Sequence, residues 1–144
     1  MDSYTAEKLN ALLKVRQQAG AQSTGQLSEQ ISRAFMHTPY AANMLQGSAT
    51  LAEKLVVDFR GLDCFTYLDY VEALRKSTDQ DSFIKNLIQT RYTGDGVHYA
   101  DRRHFFTDWA HAGQPLCQLK MLSVSKCYIH DLALVLAVRP VRAR

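Results

Sequence analysis

An apolar, β-branched run, Leu55-Val-Val-Asp-Phe59, gives way within a few residues to an amphipathic stretch that begins at Cys64. Any fold of this chain must therefore seat an extended segment against the start of a long helix. Leu68, Val71 and Leu74 recur at helical spacing with Phe65 close by, while Asp69, Glu72 and Lys76 are expected mostly on other faces. Leu51 to Phe59 is the β-run that precedes them, so Cys64 is expected where a strand hands over to a helix. A helix N-terminus offers unpaired N–H groups and the positive end of the helix dipole, which favour the thiolate form of a cysteine placed there.

Helical periodicity dominates the remainder of residues 1–112. Leu9, Leu12, Leu13 and Arg16 predict a helix from about Thr5 to Gln18, ended by Gly20. Leu27, Ile31 and Phe35 mark a second, which Ser23-Thr-Gly25 would open. Pro39 to Gly47 reads as loop. Thr78 with Asp81 suggests a capping box for a last helix ending near Arg91, and Thr93-Gly-Asp-Gly96 a turn leading to Val97-His-Tyr99.

A chain of 144 residues with 47% apolar and 22% charged side chains suits one globular domain that needs no metal or disulfide staple. A formal charge of +3, with no basic run interleaved by aromatics, argues against a nucleic-acid partner. Cys64, Cys117 and Cys127 form neither a disulfide framework nor a Cys-x-x-Cys metal pair, so no metal or cofactor is expected. Met1-Asp-Ser-Tyr-Thr-Ala-Glu-Lys8 lacks the pattern of a signal peptide, and Leu132–Val138 is far too short to span a bilayer. As written, the chain is expected to have no transmembrane segment and to stay in the cytoplasm. Residues 113–144 carry five basic side chains against one acid, a net of +4, which leaves −1 for residues 1–112. This discontinuity at Gly113 divides the chain into an expected domain, 1–112, and an atypical tail, 113–144.

Helices, then a strand, then a cysteine opening a helix is the order seen in papain-like cysteine hydrolases, and predicts an α+β class. The segments Gly61-Leu-Asp-Cys-Phe-Thr-Tyr67, Thr90-Arg-Tyr-Thr-Gly-Asp-Gly96 and Arg102-Arg-His-Phe-Phe-Thr-Asp-Trp109 resemble consecutive motifs of the bacterial N-acetylmuramoyl-L-alanine amidase-like family, of NlpC/papain-type fold. The resemblance covers roughly residues 5–111. It implies a cell-wall hydrolase of the periplasm or envelope, acting on peptidoglycan or muropeptides at the amide between N-acetylmuramic acid and L-alanine. Cys64 matches the family's nucleophile. The family's later strands and catalytic histidine are not recognisable after Ala112, which is what a frameshift or premature stop would leave. On this reading the chain is the N-terminal part of such an enzyme, truncated and inactive, or a non-catalytic peptidoglycan-binding or remnant protein.

Each candidate residue has a plainer role beside the functional one. Cys64 is a nucleophile or a small apolar core residue. His104 is a candidate base, or packs against Phe105, Phe106 and Trp109 while bonding a backbone group. His130 precedes an apolar run and would serve only if the tail were genuine. Arg102 and Asp108 line a substrate groove or pair structurally. Tyr67 and Trp109 stack on sugar rings or fill the core and groove wall. Asp63, next to the nucleophile, is expected to cap the helix; a direct catalytic part for it would oppose thiolate formation.

Overall fold

The computed structural model describes residues 1–20, 22–94, 96–105 and 108. These residues form four α-helices, α1 (Ser3–Gln18), α2 (Thr24–Arg33), α3 (Cys64–Lys76) and α4 (Gln80–Arg91), and a short 3-10 turn, Tyr99–Asp101. Each α-helix opens on a side-chain cap. Asp2 accepts from the Thr5 N–H, and reciprocal capping boxes join Ser23 with Gln26, Asp63 with Thr66 and Asp79 with Ser82. The expected Thr78–Asp81 box is thus shifted by one residue. The Asp79 carboxylate takes the Ser82 N–H at 2.8 Å, while the Thr78 hydroxyl donates to Asp79 instead.

α3 is the central helix and packs against the other three. The link Ser77–Asp79 is short enough to make α3 and α4 an antiparallel hairpin, so the end of α4 returns beside the first turns of α3. The core draws Leu9, Leu12 and Leu13 from α1, Leu27 and Ile31 from α2, Tyr70, Val71 and Leu74 from α3, and Phe83 and Leu87 from α4. Phe59 sits at its aromatic centre, edge-on to Tyr70 at 4.9 Å and to Phe35 at 5.1 Å between ring centroids.

The expected α+β, papain/NlpC-like architecture is not what these residues build. Among the described residues there is no β-strand, only isolated bridges pairing Tyr40 with Leu62, Gln46 with Lys54 and Tyr92 with Arg102. The run Leu51–Phe59 is extended, yet side chains of the helices satisfy much of its backbone. The Phe59 N–H donates to Thr5 Oγ1 at 3.0 Å and the Asp58 N–H to Tyr70 Oη at 3.2 Å. Val56 O accepts from Arg91 Nη1 at 2.9 Å and from the Tyr70 hydroxyl at 3.3 Å. A buried backbone group needs a partner but not a strand, and here the helices supply it.

α3 also departs from simple amphipathicity, because Asp69 and Glu72 are buried. Glu72 holds Arg75 at 2.7 Å and Lys76 at 2.9 Å. Asp69 holds Arg91 at 2.8 Å. Burying a carboxylate without such a partner would be strongly unfavourable. Trp109, Cys117, Cys127, His130 and the expected boundary at Gly113 lie outside the described residues.

Candidate active site

The lead-in to α3 is braced from one side by the loop that follows α2. Leu62 N–H donates to Pro39 O and Ala41 N–H to Leu62 O, both at 3.0 Å, and this exchange fixes the parallel bridge between Tyr40 and Leu62. The loops meet so closely that a Cβ on Gly61 would lie 2.6 Å from the Ala41 Cβ. A side chain at position 61 would push the two loops apart.

Asp63 then turns the chain into α3. Its Oδ1 accepts from the Thr66 N–H at 2.8 Å, and the Thr66 hydroxyl accepts from the Asp63 N–H at 2.9 Å. The expected cap is present, and the carboxylate is engaged in it. Cys64 is the first residue of the helix and is exposed, which sets it apart from a core thiol. Among the described residues the N–H groups of Cys64 and Phe65 make no hydrogen bond, as the geometry of a first helical turn dictates. The thiol is thus carried on the first residue of a helix whose first two N–H groups have no partner among the described residues. That is a workable arrangement for attack on an amide carbonyl whose oxygen becomes negative.

The other sequence candidates distribute unevenly. Tyr67 is 5% exposed and meets Phe35 edge-on at 6.3 Å, in keeping with the core role that stood beside sugar stacking for it. Arg102 pairs with Glu53, Nη1 to Oε1 at 3.1 Å, and lies 4.9 Å over the Tyr99 ring. The Tyr92 hydroxyl donates to the same Glu53 oxygen at 2.8 Å. Burial and that carboxylate keep the Tyr92 hydroxyl protonated well above the ordinary tyrosine range. Arg102 thus fastens the segment after α4 to the loop before α3.

Arg103 completes the attachment, its Nη1 donating to Gln89 O and Thr90 O at the last turn of α4. His104 follows at the surface. Its Nε2 lies 3.0 Å from Tyr99 O and its ring is edge-on to Tyr99 at 4.8 Å. Because a carbonyl only accepts, Nε2 is the donor in this contact, and only the neutral ring would leave a lone pair on Nδ1. The Arg103 N–H donates to Arg91 O and Arg91 holds Asp69, so the segment carrying His104 is tied through α4 to the first half of α3, but no hydrogen bond joins His104 to Cys64. Asp108 is exposed, its N–H donating to Phe105 O. Sequence reasoning missed Glu53, the anchor of this end. Its signal was faint: it is one of three charged residues, with Lys54 and Asp58, within the run Leu51–Phe59.

A family model described as N-acetylmuramoyl-L-alanine amidase-like, AmiA-like, matches residues 30–126. The chain belongs to that family. The match contains Cys64 with its capped helix start, the Glu53–Arg102 anchor and His104. It runs past Gly113, where a compositional boundary was expected. Membership in the AmiA-like family points to a peptidoglycan amidase-related function. Comparison with curated proteins and with solved structures gave no match. No helix among the described residues of this AmiA-like protein is long and apolar enough to cross a membrane. Nor do three or more His, Cys, Asp or Glu side chains among them gather as metal ligands.

Proposed function

We propose that this protein is a cysteine amidase that hydrolyses the bond between the lactyl group of N-acetylmuramic acid and L-alanine, with Cys64 as nucleophile. The observation that carries the reading is the exposed thiol at the first position of α3, a helix whose Cys64 and Phe65 N–H groups have no partner among the described residues, in a chain of an amidase-like family. The Cys64 sulfur attacks the lactyl carbonyl, a C–S bond forms, and the helix-start donors hold the oxyanion. Collapse of that intermediate breaks the C–N bond. His104, through Nδ1, takes the thiol proton and returns it to the departing L-alanine amine. Water then cleaves the thioester, releasing N-acetylmuramic acid and the free thiol. The place of action is the cell envelope, where the substrate is.

The test is incubation of the full chain with N-acetylmuramoyl-L-alanyl-D-isoglutamine, followed by mass spectrometry of the products. Release of N-acetylmuramic acid by the wild type and its loss in Cys64→Ala supports the assignment; undiminished release by Cys64→Ala sinks it. One observation favours a second reading, binding without turnover: the His104 imidazole is engaged by Tyr99 O rather than by Cys64. Saturable binding of the muropeptide with no product from the wild type would select that reading.

A further inference from the structure

The loop that braces Cys64 differs in chemistry from the rest of the molecule. From Ala34 to Ala52 the sequence contains no Asp, Glu, Lys or Arg, although these make up 22% of the chain. Asn43, Gln46, Ser48 and Thr50 supply uncharged polar groups along it. At the point where this loop is hydrogen-bonded to the lead-in of α3 stands Tyr40, half exposed at 50%. Tyr40 pairs with Leu62, two residues before Cys64, so the loop cannot move without moving the nucleophile's own lead-in.

We propose that this charge-free loop is the glycan-side wall of the site and that Tyr40 stacks on the sugar ring of the substrate. The inference rests on the amidase reading and adds which half of the substrate lies on which side. The two halves differ in a way the loop can distinguish. A stem peptide is anionic, and its recognition calls for Arg or Lys, which residues 34–52 lack; Lys8, reaching the loop from α1, is taken up by Thr38 Oγ1 at 3.5 Å and the Phe35 ring at 4.8 Å. A pyranose ring is uncharged, with an apolar C–H face that suits an aromatic ring and hydroxyls that suit amides and hydroxyls. Tyr40 has the amphipathic ring, and its neighbours have the neutral polar groups.

The experiment measures binding rather than turnover, so that a failure of the cysteine mechanism and a failure of this proposal are separable. Calorimetric titrations of the full chain carrying Cys64→Ala, alone and with Tyr40→Ala, Tyr40→Phe or Tyr40→Leu, would use two probes. One is N-acetylmuramoyl-L-alanyl-D-isoglutamine; the other is lactoyl-L-alanyl-D-isoglutamine, which keeps the amide and peptide but has no sugar. Tyr40→Ala and Tyr40→Leu are expected to weaken the sugar-bearing probe by about fivefold, the size of one aromatic contact, with Tyr40→Phe nearly unchanged. Affinity for the lactoyl probe should not move. Equal weakening of both probes would place the stem peptide on Tyr40 and overturn the proposal, as would unchanged affinity for the sugar-bearing probe or no binding of it by any variant. If the wild type binds in the expected pattern yet releases no product, the glycan wall stands and the nucleophile assignment falls. Tyr40→Leu keeps the apolar bulk, and the circular dichroism of each variant guards against a folding artefact.

Discussion

Arg91 and Asp69 meet at 2.8 Å with both side chains buried, and this contact ties the last turn of α4 to the first half of α3. Arg91 also donates to Val56 O and lies 5.5 Å from the centre of the Tyr70 ring, so one guanidinium joins two helices and the extended segment. Burial works against its charge, but the charge and hydrogen bond of Asp69 outweigh that and hold the guanidinium above its ordinary value. The end of the molecule that carries Cys64 is shaped by this junction.

Breaking the junction from one side should be severe. Asp69→Ala leaves a buried guanidinium uncompensated and is expected to cost about 3–5 kcal/mol in urea unfolding. Replacing both partners, Asp69→Leu with Arg91→Met, should cost clearly less than the sum of the single variants, because no unpaired charge remains. Additive costs would mean that the two side chains act independently.

Gly47 lies against the Glu53 carboxylate. Its φ of +139° is strained for any residue with a Cβ, and a Cβ there would lie 1.9 Å from Glu53 Oε2 and 2.9 Å from Glu53 Cα. Glu53 has little freedom to retreat, being held by Arg102 and Tyr92. Gly47→Ala should therefore destabilise the protein by about 2–3 kcal/mol or more. Hydrogen exchange should show faster opening of the loop 44–54 and of residues 102–104; unchanged protection there would separate Gly47 from the anchor.

Acid should destabilise this protein through its paired carboxylates. Hydrogen bonding from Arg60 holds the Asp58 carboxyl below the ordinary value of 3.8, against an opposing effect of burial. As the pH falls, the unfolded chain takes up its proton at that position first, so proton uptake favours unfolding. The contribution is complete above about pH 5 and declines as the pH passes through the ordinary carboxylate range and below it. Asp2 and Asp79 titrate in the same direction, their hydrogen bonds to Thr5 and Ser82 leading. Urea midpoints measured from pH 6 to pH 2 should fall more gently in Asp58→Asn than in the wild type.

Cys64 and Asp63 should separate chemistry from folding. Cys64 is exposed and makes no side-chain hydrogen bond among the described residues, so Cys64→Ala should change stability by less than about 0.5 kcal/mol while abolishing muropeptide cleavage. Asp63→Ala removes the cap and should cost about 1 kcal/mol. A large loss of stability in Cys64→Ala would return the thiol to a structural role.

Much of the helical framework was legible in the sequence. The spacing of Leu9, Leu12 and Leu13, the apolar face of α3, and the caps at Ser23 and Asp63 are local properties, and the structure has them where the residues predict. The displaced box at Asp79 shows the limit of that reading. Thr78–Asp81 and Asp79–Ser82 both satisfy a capping pattern, and the backbone chose the one whose carboxylate takes the amide.

What sequence alone determined here is therefore the helices, the caps at Ser23 and Asp63, the position of Cys64 at a helix start and the family. Tertiary structure decided the rest. The apolar, β-branched residues of Leu51–Phe59 suggest a strand but do not show who takes its N–H and C=O groups, and those partners, Thr5, Tyr70 and Arg91, lie far away in sequence. Periodicity likewise assigned Asp69 and Glu72 mostly to other faces and left Tyr67 open to a sugar, because a single helix cannot tell which of its sides neighbours will cover. Burial, ion pairing and backbone satisfaction depend on which distant segments meet, and that is settled only when the helices pack.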